Sequence, residues 1–446
     1  MKIALVFMGR KRPGFDPEWG GKIDAQVRAF AEASSYDIFF PEEKAVDDAS
    51  MRRVLAECSA AGCDVMAVLQ TTAGDARLVP TMSQIWDGPL VLWATPENPE
   101  GRMISSCSLV GVHLFSSVLR QANRPFEIVY GAPEDERTRR EFDHAAKVAY
   151  AVRRLQHSKV GLIGYSAPGY ANMAADAPTL NRRLGTLLHH IGLQELFDAM
   201  EALPADDVTA DVQRVLDIGF EIGDIEESDL ETQSRLYLAF KQLATAERLD
   251  AMAVRCWPEM PNVIGQWPYL AMTRLSDEGF PNGMEGDVDG AISCLLGETM
   301  GFGRGYLSDW LEHTENTITL WHGGNAPLDL TEPLGSEHGP RLARHFNIRK
   351  PMVVEAWLKQ EMDITIFRIW RCDGRYHMAA RNARTIEPAR DLYGTNGLAR
   401  IEGPSVYTWF EDLCHAGMPH HMAVFAGHHE QILRRLARQQ GMVWVV

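Results

Sequence analysis

The chain opens on a continuous apolar run, KIALVFMG (residues 2–9), as in a strand buried on both faces. KIDAQVRAFAEA then carries apolar residues at helical spacing. YDIFFP reads as the next strand, ASMRRVLAECSAAG as a helix, CDVMAVLQT as a strand, and GPLVLWAT repeats the theme. Strand and helix signals in this alternating order predict a parallel sheet with helices on its faces. A long helical stretch, RTRREFDHAAKVAYAVRRLQ, leads to a second α/β region that begins near HSKVGLIGYSAPGY. It continues through ADDVTADVQRVLDIG, ESDLETQSRLYLAFKQLATAERL and the strand-like DAMAVRCWP. From about residue 326 the runs shorten and alternate, and CDGR predicts a hairpin turn. The chain closes on a helix, HHEQILRRLARQQG, and then MVWVV.

The expected fold class is therefore α/β, with two Rossmann-like parallel-sheet domains (1–155 and 156–325) followed by a β-rich C-terminal domain (326–446). A length of 446 residues agrees with this, being too long for one ordinary core. The formal net charge of −16 disfavours nucleic acid and anionic membranes as partners, because phosphate binding needs a basic surface. No apolar run approaches the roughly 20 residues needed to span a bilayer. The N-terminal MKIALVFMGRKRPGF lacks a small-residue cleavage site and reads as a strand rather than a signal peptide. The seven cysteines are scattered without a CxxC, which suggests neither a zinc ribbon nor a disulfide framework and makes the cytoplasm the simplest compartment.

Chemistry concentrates first in NGMEGDVDGAISCLLGETMG (residues 282–301), where Glu285, Asp287 and Asp289 alternate with small or apolar residues. Glu285, Asp287, Asp289 and Gly290 superficially match the opening of a calcium loop. The bidentate Glu that such a loop requires at its twelfth position is Leu296 here, so that reading fails. Asp287 or Asp289 instead caps a helix whose apolar face includes Ile292, Leu295 and Leu296. Glu285 lies before the first turn and stays open to another role. Asp309 follows 24 residues on (309 − 285), just after the turn GFGRG. TLWHGGNAP brings His322 beside Trp321, and CHAGMPHHMAVFAGHH carries His420 and His421. Two carboxylates and an imidazole suit Mn²⁺, Mg²⁺ or a similar divalent ion. Such an ion can hold adjacent substrate oxygens and polarise a carbonyl.

In EGDVDGAISCLL, YLSDW, TLWHGGNAP and GMPHHMAVF the sequence resembles the L-fucose isomerase/L-arabinose isomerase superfamily, and the spacing together with Asp309 favours its fucose-like branch. The resemblance implies a metal-dependent aldose–ketose isomerase, working through an enediol(ate), with Mn²⁺ or another divalent ion such as Mg²⁺ or Co²⁺. It implies Glu285 and Asp309 as catalytic groups and Glu285, Asp309 and His421 as metal ligands, His420 being the alternative imidazole. Trp321, His322, Asn325, Arg255 and His420 are the expected substrate contacts. Arg255 is included because ligands gather beyond the carboxyl ends of strands in α/β proteins. The expected partners are a small-molecule sugar and further copies of the chain, in a trimer or hexamer. Two alternatives stand beside this reading. One is a sugar-binding or regulatory homologue with altered catalysis, and the other an isomerase of an anionic sugar, sulfonated or phosphorylated.

Other residues carry weaker signals. Gln70 and Thr71 end a strand and either pack or reach a neighbouring subunit's site. His189 and His190 lie on a helix-like stretch and read as structural, and His428 and His429 as capping or surface residues. GLIGYSAPGY lacks a phosphate-loop signature and reads as a strand-end turn. Arg368, Arg371, Arg375 and Arg381 are expected on a solvated β face.

Overall fold

The computed structural model describes residues 1–10, 15–71, 74–100 and 102–446. Two compact units are present: Met1–Arg154 with Arg438–Gln440, and Leu155–Ala437 with Gly441–Val446.

The first unit alternates β1 (Lys2–Met8), α1 (Pro17–Glu32), β2 (Asp37–Phe39), α2 (Asp48–Ala60), β3 (Val65–Gln70), α3 (Val79–Ile85), β4 (Leu90–Ala94), α4 (Ser108–Gln121), β5 (Glu127–Tyr130) and α5 (Glu136–Gln156). All pairings are parallel, in the order β2-β1-β3-β4-β5. The period-2 alternation of strands splits the apolar run of β1 between two cores. Ala4, Val6 and Met8 pack with α2, α3 and α4, while Ile3, Leu5 and Phe7 pack with α1 and α5. A run without polar residues is the sequence cost of covering both faces.

The second unit holds a four-stranded parallel sheet made from β6 (Lys159–Ile163), β7 (Leu187–Ile191), β9 (Ala251–Val254) and β10 (Asn282–Gly283), in the order β10-β9-β6-β7; β8 (Glu221–Ile222) belongs elsewhere. His189 and His190 fall on β7, paired with Gly161 and Leu162, so the helical reading of that stretch is corrected to a strand. Too few residues separate the flanking breaks there to distinguish the two periods.

A ten-stranded sheet follows. It comprises β8, β11 (Tyr306–His313), β12 (Thr317–His322), β13 (Arg341–Arg344), β14 (Pro351–Trp357), β15 (Asp363–Cys372), β16 (Arg375–Ile386), β17 (Thr395–Ile401), β18 (His421–Ala426) and β19 (Val443–Trp444). The added β16–β17 pairing closes β11, β12, β17, β16, β15 and β18 into a six-stranded antiparallel barrel. Its core includes Ile318, Leu320, Ile364, Ile366, Trp370 and Val424, with Val406, Trp409 and Leu413 from an added helix. The CDGR turn joins β15 to β16, with Asp373 (φ 51°) and Gly374 (φ 67°) both left-handed as a two-residue hairpin turn requires.

One helix, Val288–Thr299, links the parallel sheet to the barrel. Its Gly290 and Gly297 stand seven residues apart and lie against barrel strands. A Cβ at Gly290 would come 2.6 Å from Leu307 Cδ2 on β11, and one at Gly297 would come 2.2 Å from Phe425 Cζ on β18. Among the described residues no helix is long and apolar enough to cross a membrane.

Candidate metal centre

The carboxyl end of the parallel sheet supplies half of the site. Glu285 occupies the turn between β10 and the Val288–Thr299 helix with φ 60°, followed by Gly286 at φ 74°. The turn is clamped to its neighbours: Ala167 N–H donates to Glu285 O, and Gly286 N–H donates to Val254 O, both at 2.9 Å. A Cβ at Gly286 would lie 2.4 Å from Tyr165 O, so only glycine fits this close approach. The barrel supplies the other half. Asp309 on β11 is directly opposite His421 on β18 and Trp321 on β12, which places these side chains in one row.

Glu285 Oε2, Asp309 Oδ1 and His421 Nε2 are buried atoms with no hydrogen-bond partner. His421 Nε2 lies 3.5 Å from Glu285 Oε2 and 3.4 Å from Asp309 Oδ1. His420 Nε2 lies 3.5 Å and 3.6 Å from the same two oxygens. These separations are long for hydrogen bonds. They suit atoms sharing one divalent ion, where bonds of about 2.0–2.2 Å hold neighbouring ligands somewhat over 3 Å apart. Ligand atoms of Glu285, His322 and His421 lie within 4.8 Å of one another, as do those of Asp309, His420 and His421. The donor set, two hard carboxylates with imidazoles, is the kind that takes Mn²⁺ or Mg²⁺. The residues therefore fit a metal.

The electrostatics follow from burial and neighbours. Burial pushes the Glu285 carboxyl up, but His420, His421, His322 and the Trp257 indole outweigh it and hold the group at about 2. Burial lowers the His322 imidazole on net, despite Asp309 and Glu285. For His421 burial also favours the neutral ring, yet the hydrogen bond to Asp287 and the surrounding carboxylates raise it overall.

Asp287 is the N-cap of the Val288–Thr299 helix, accepting from Gly290 N–H at 2.9 Å. It also touches His421 Nδ1 at 2.8 Å and receives Arg368 at 2.7 and 2.8 Å. Asp289, one position into the helix, is held by Arg371 and by the Tyr376 hydroxyl, each at 3.0 Å. The expectation of a solvated arginine face is corrected for three of the four residues, two of them through these acids. Arg368 is fully buried and Arg371 mostly so, because each neutralises an acid at the helix start. Arg381 is buried too, donating to Pro404 O at 2.7 Å, while Arg375 is exposed.

The other expected site residues are distributed around this centre. His322 is buried with Nδ1 unpartnered, its ring 5.6 Å from that of His421. Trp321 is half-buried, donates to Tyr393 O at 2.6 Å and packs edge-on to Phe346. Asn325 is buried against Met284, the residue before Glu285, with Oδ1 unpartnered. Arg255 makes a paired contact with Glu259 at 2.6 and 2.7 Å and donates to Ser166 O at 2.8 Å, so it braces the loop beside Glu285. In the first unit, Gln70 Oε1 is wedged between Gly74 and Gly111, where Cβ atoms would lie 1.7 and 1.8 Å away.

Two neighbours gain importance. Trp257 donates its indole N–H to Glu285 Oε1 at 2.9 Å. Tyr170, from the segment read only as a strand-end turn, packs edge-on to Trp257 at 5.9 Å and against His420 at 5.0 Å. Burial first, then Glu285 and Asp309, push its hydroxyl up to about 12, so it stays protonated beside the carboxylates. Nothing local in GLIGYSAPGY signals this; the contacts are all distant in sequence.

A mixed α/β chain with a buried two-carboxylate, imidazole-bearing centre between the carboxyl end of the parallel sheet and the barrel defines the class. The comparisons narrow it. No protein-family model matches the chain. It is 25% identical over 441 residues, 98% of this chain and 97% of the relative, to a sulfoquinovose isomerase of Priestia aryabhattai. A sulfoquinovose isomerase of Alkalicoccus urumqiensis is 22% identical over 383 residues, 84% of each chain. An L-arabinose isomerase of Saccharophagus degradans is 24% identical over 351 residues, 74% of this chain and 67% of the relative. Relatives at this modest identity support placement in an L-fucose/L-arabinose isomerase-like superfamily. That placement stands at the level of the superfamily and does not extend to the fucose-like branch expected from Asp309.

Proposed function

We propose that the protein is a divalent-metal-dependent isomerase that interconverts the aldose and ketose forms of a monosaccharide. The observation that carries this reading is the convergence of Glu285 Oε2, Asp309 Oδ1 and His421 Nε2, each buried and without a hydrogen-bond partner. These three residues would hold the ion, with His420 and His322 beside them. When bound, a divalent ion supplies Lewis acidity next to a substrate carbonyl. The remaining chemistry is proton movement by the chain itself. Glu285, kept ionised by its imidazole and indole neighbours, accepts the proton at C2. Asp309 would move protons among C1 and the two oxygens. Trp321, His322, Asn325 and His420 position the sugar, and Arg255 supports the loop behind Glu285.

An anionic, sulfonated sugar is the favoured substrate class, because relatives named for sulfoquinovose align over nearly the whole chain. Mn²⁺ is the ion of choice in this reading, the working form a trimer or hexamer, and the compartment the cytoplasm, in keeping with seven free cysteines.

The test is an aldose panel that includes deoxy, sulfonated and phosphorylated sugars, assayed with Mn²⁺ before and after chelation. A ketose is expected only with the metal. Glu285→Gln and Asp309→Asn should each lower turnover by about 10²–10⁴-fold with unchanged circular dichroism. Near-normal turnover in both variants, or carbon–carbon cleavage products instead of a ketose, would overturn the reading. Light scattering that returns a monomer would contradict the assembly.

A further inference from the structure

We propose that Asp287, locked by Arg368, is a positioning residue that fixes the tautomer of His421 so that Nε2 offers its lone pair to the metal. The inference rests on the metal reading of Glu285, Asp309 and His421.

A carboxylate has about four acceptor positions, and at Asp287 all four meet a partner. Oδ1 accepts from Gly290 N–H at 2.9 Å and from Arg368 Nη2 at 2.8 Å. Oδ2 accepts from Arg368 Nη1 at 2.7 Å and faces His421 Nδ1 at 2.8 Å. The backbone amide and the guanidinium can only donate, so Asp287 has no proton to give. At 2.8 Å the hydrogen between Asp287 and His421 must then sit on Nδ1. In the neutral ring this leaves Nε2 as the bare nitrogen. Nε2 is also the atom 3.5 Å from Glu285 Oε2 and 3.4 Å from Asp309 Oδ1, and it has no hydrogen-bond partner.

Arg368 does two things in this arrangement. It neutralises a carboxylate that is itself fully buried, and its two-pronged grip sets the plane of that carboxylate. It also donates to His421 O at 3.2 Å, which ties the start of β18 to the same group. A carboxylate behind a metal-binding imidazole is a general means of raising ligand basicity and holding the ring. In this chain the helix cap has been given that second task. The cost of breaking it is specific, because an amide at position 287 can keep the cap and still donate toward His421, which inverts the tautomer.

Two measurements on the full chain test this. The first is long-range ¹H–¹⁵N correlation of histidine-labelled, metal-free wild type at alkaline pH, where the neutral ring prevails, with His421 assigned by its absence in His421→Gln. A protonated Nδ1 and bare Nε2 are expected; a protonated Nε2 overturns the proposal. The second is Mn²⁺ affinity by chelator competition. Asp287→Asn should weaken Mn²⁺ by about 10–100-fold with far-ultraviolet circular dichroism unchanged, and wild-type affinity in that variant overturns the proposal. If Asp287→Asn does not fold because Arg368 is left uncompensated, Asp287→Asn/Arg368→Gln takes its place under the same criterion. The resonance experiment needs no variant at position 287 and no metal. A wild type that takes up no Mn²⁺ removes the metal reading, whereas a wrong tautomer in a wild type that does bind Mn²⁺ removes only the role of Asp287.

Discussion

At the scale of single residues, the Trp257 indole N–H is a neutral donor aimed at Glu285, 2.9 Å from Oε1. A hydrogen bond to a charged acceptor is worth about 1.5–3 kcal/mol, and 1.36 kcal/mol corresponds to one pH unit. Trp257→Phe keeps the ring that Tyr170 packs on and removes the donor. It weakens the ionised form of Glu285, so the carboxyl rises from its value of about 2. In the metal-free protein the Glu285 carboxyl, followed by its ¹³C resonance, should titrate roughly one unit higher in the variant than in the wild type, and an unchanged titration would show that the bond does not tune Glu285. The sequence shows Trp257 only within the strand-like DAMAVRCWP and Glu285 as an acid outside the helix, and nothing local shows the bond between them. Asp287 shows the limit more sharply. Its capping role is local, and position alone narrows the cap to Asp287 or Asp289. Its partners Arg368 and His421 lie 81 and 134 residues away, and only the closed barrel brings them to it. Arg368 accordingly looked like one of several arginines on a solvated strand.

At the scale of elements, the helix Val288–Thr299 is held to the barrel by the absence of side chains at Gly290 and Gly297. Gly297→Ala would drive a methyl to 2.2–2.6 Å from the Phe425 ring. Overpacking of that kind costs about 1–3 kcal/mol, to be read as a lower urea midpoint; an unchanged midpoint would mean the ring gives way freely. The last turn of the same helix carries Glu298, whose carboxyl is raised to about 7, chiefly by burial and further by Asp329 against the pull of Arg304. The sign follows from proton binding. Below the unfolded value both states are protonated and Glu298 contributes no penalty. As pH climbs toward 7 the native chain keeps a proton that the unfolded chain has released, so stability falls. Glu298→Gln should therefore stabilise the protein by roughly 1 kcal/mol at pH 8, discounted for partial exposure, and by almost nothing at pH 4. Thermal melts at the two pH values decide it, and equal shifts at both would contradict the assignment. Elements of this kind were legible where one period ran long enough. The β1 run and the two 21-residue helices, Glu136–Gln156 and Glu227–Glu247, are of that sort. The five-residue β7 was not, and barrel closure through β16–β17 leaves no local trace at all.

At the scale of the whole chain, the expected metal-site and substrate residues, from Arg255 to His421, fall in the second compact unit, while the first carries its own two-sided core. That division makes metal removal a selective perturbation. An ion that binds only the folded site stabilises it by RT ln(1 + [L]/Kd), about 2.7 kcal/mol at a hundredfold excess over Kd. Stability is not uniform across a structure, so the gain is confined to amides whose opening breaks the site. The segments that present ligands are the turn at 284–287, the strand Tyr306–His313, and the start of His421–Ala426. Hydrogen exchange of the Mn²⁺-loaded and chelated protein should show protection rising there by up to about 100-fold, since 2.7 kcal/mol is two factors of ten. Amides of β1, β3 and β4 should exchange at the same rate with and without the ion. Protection gained equally in both units would mean that metal acts on something other than this centre. Protection gained in neither would leave Glu285, Asp309 and His421 as three unpartnered atoms with no ion to hold.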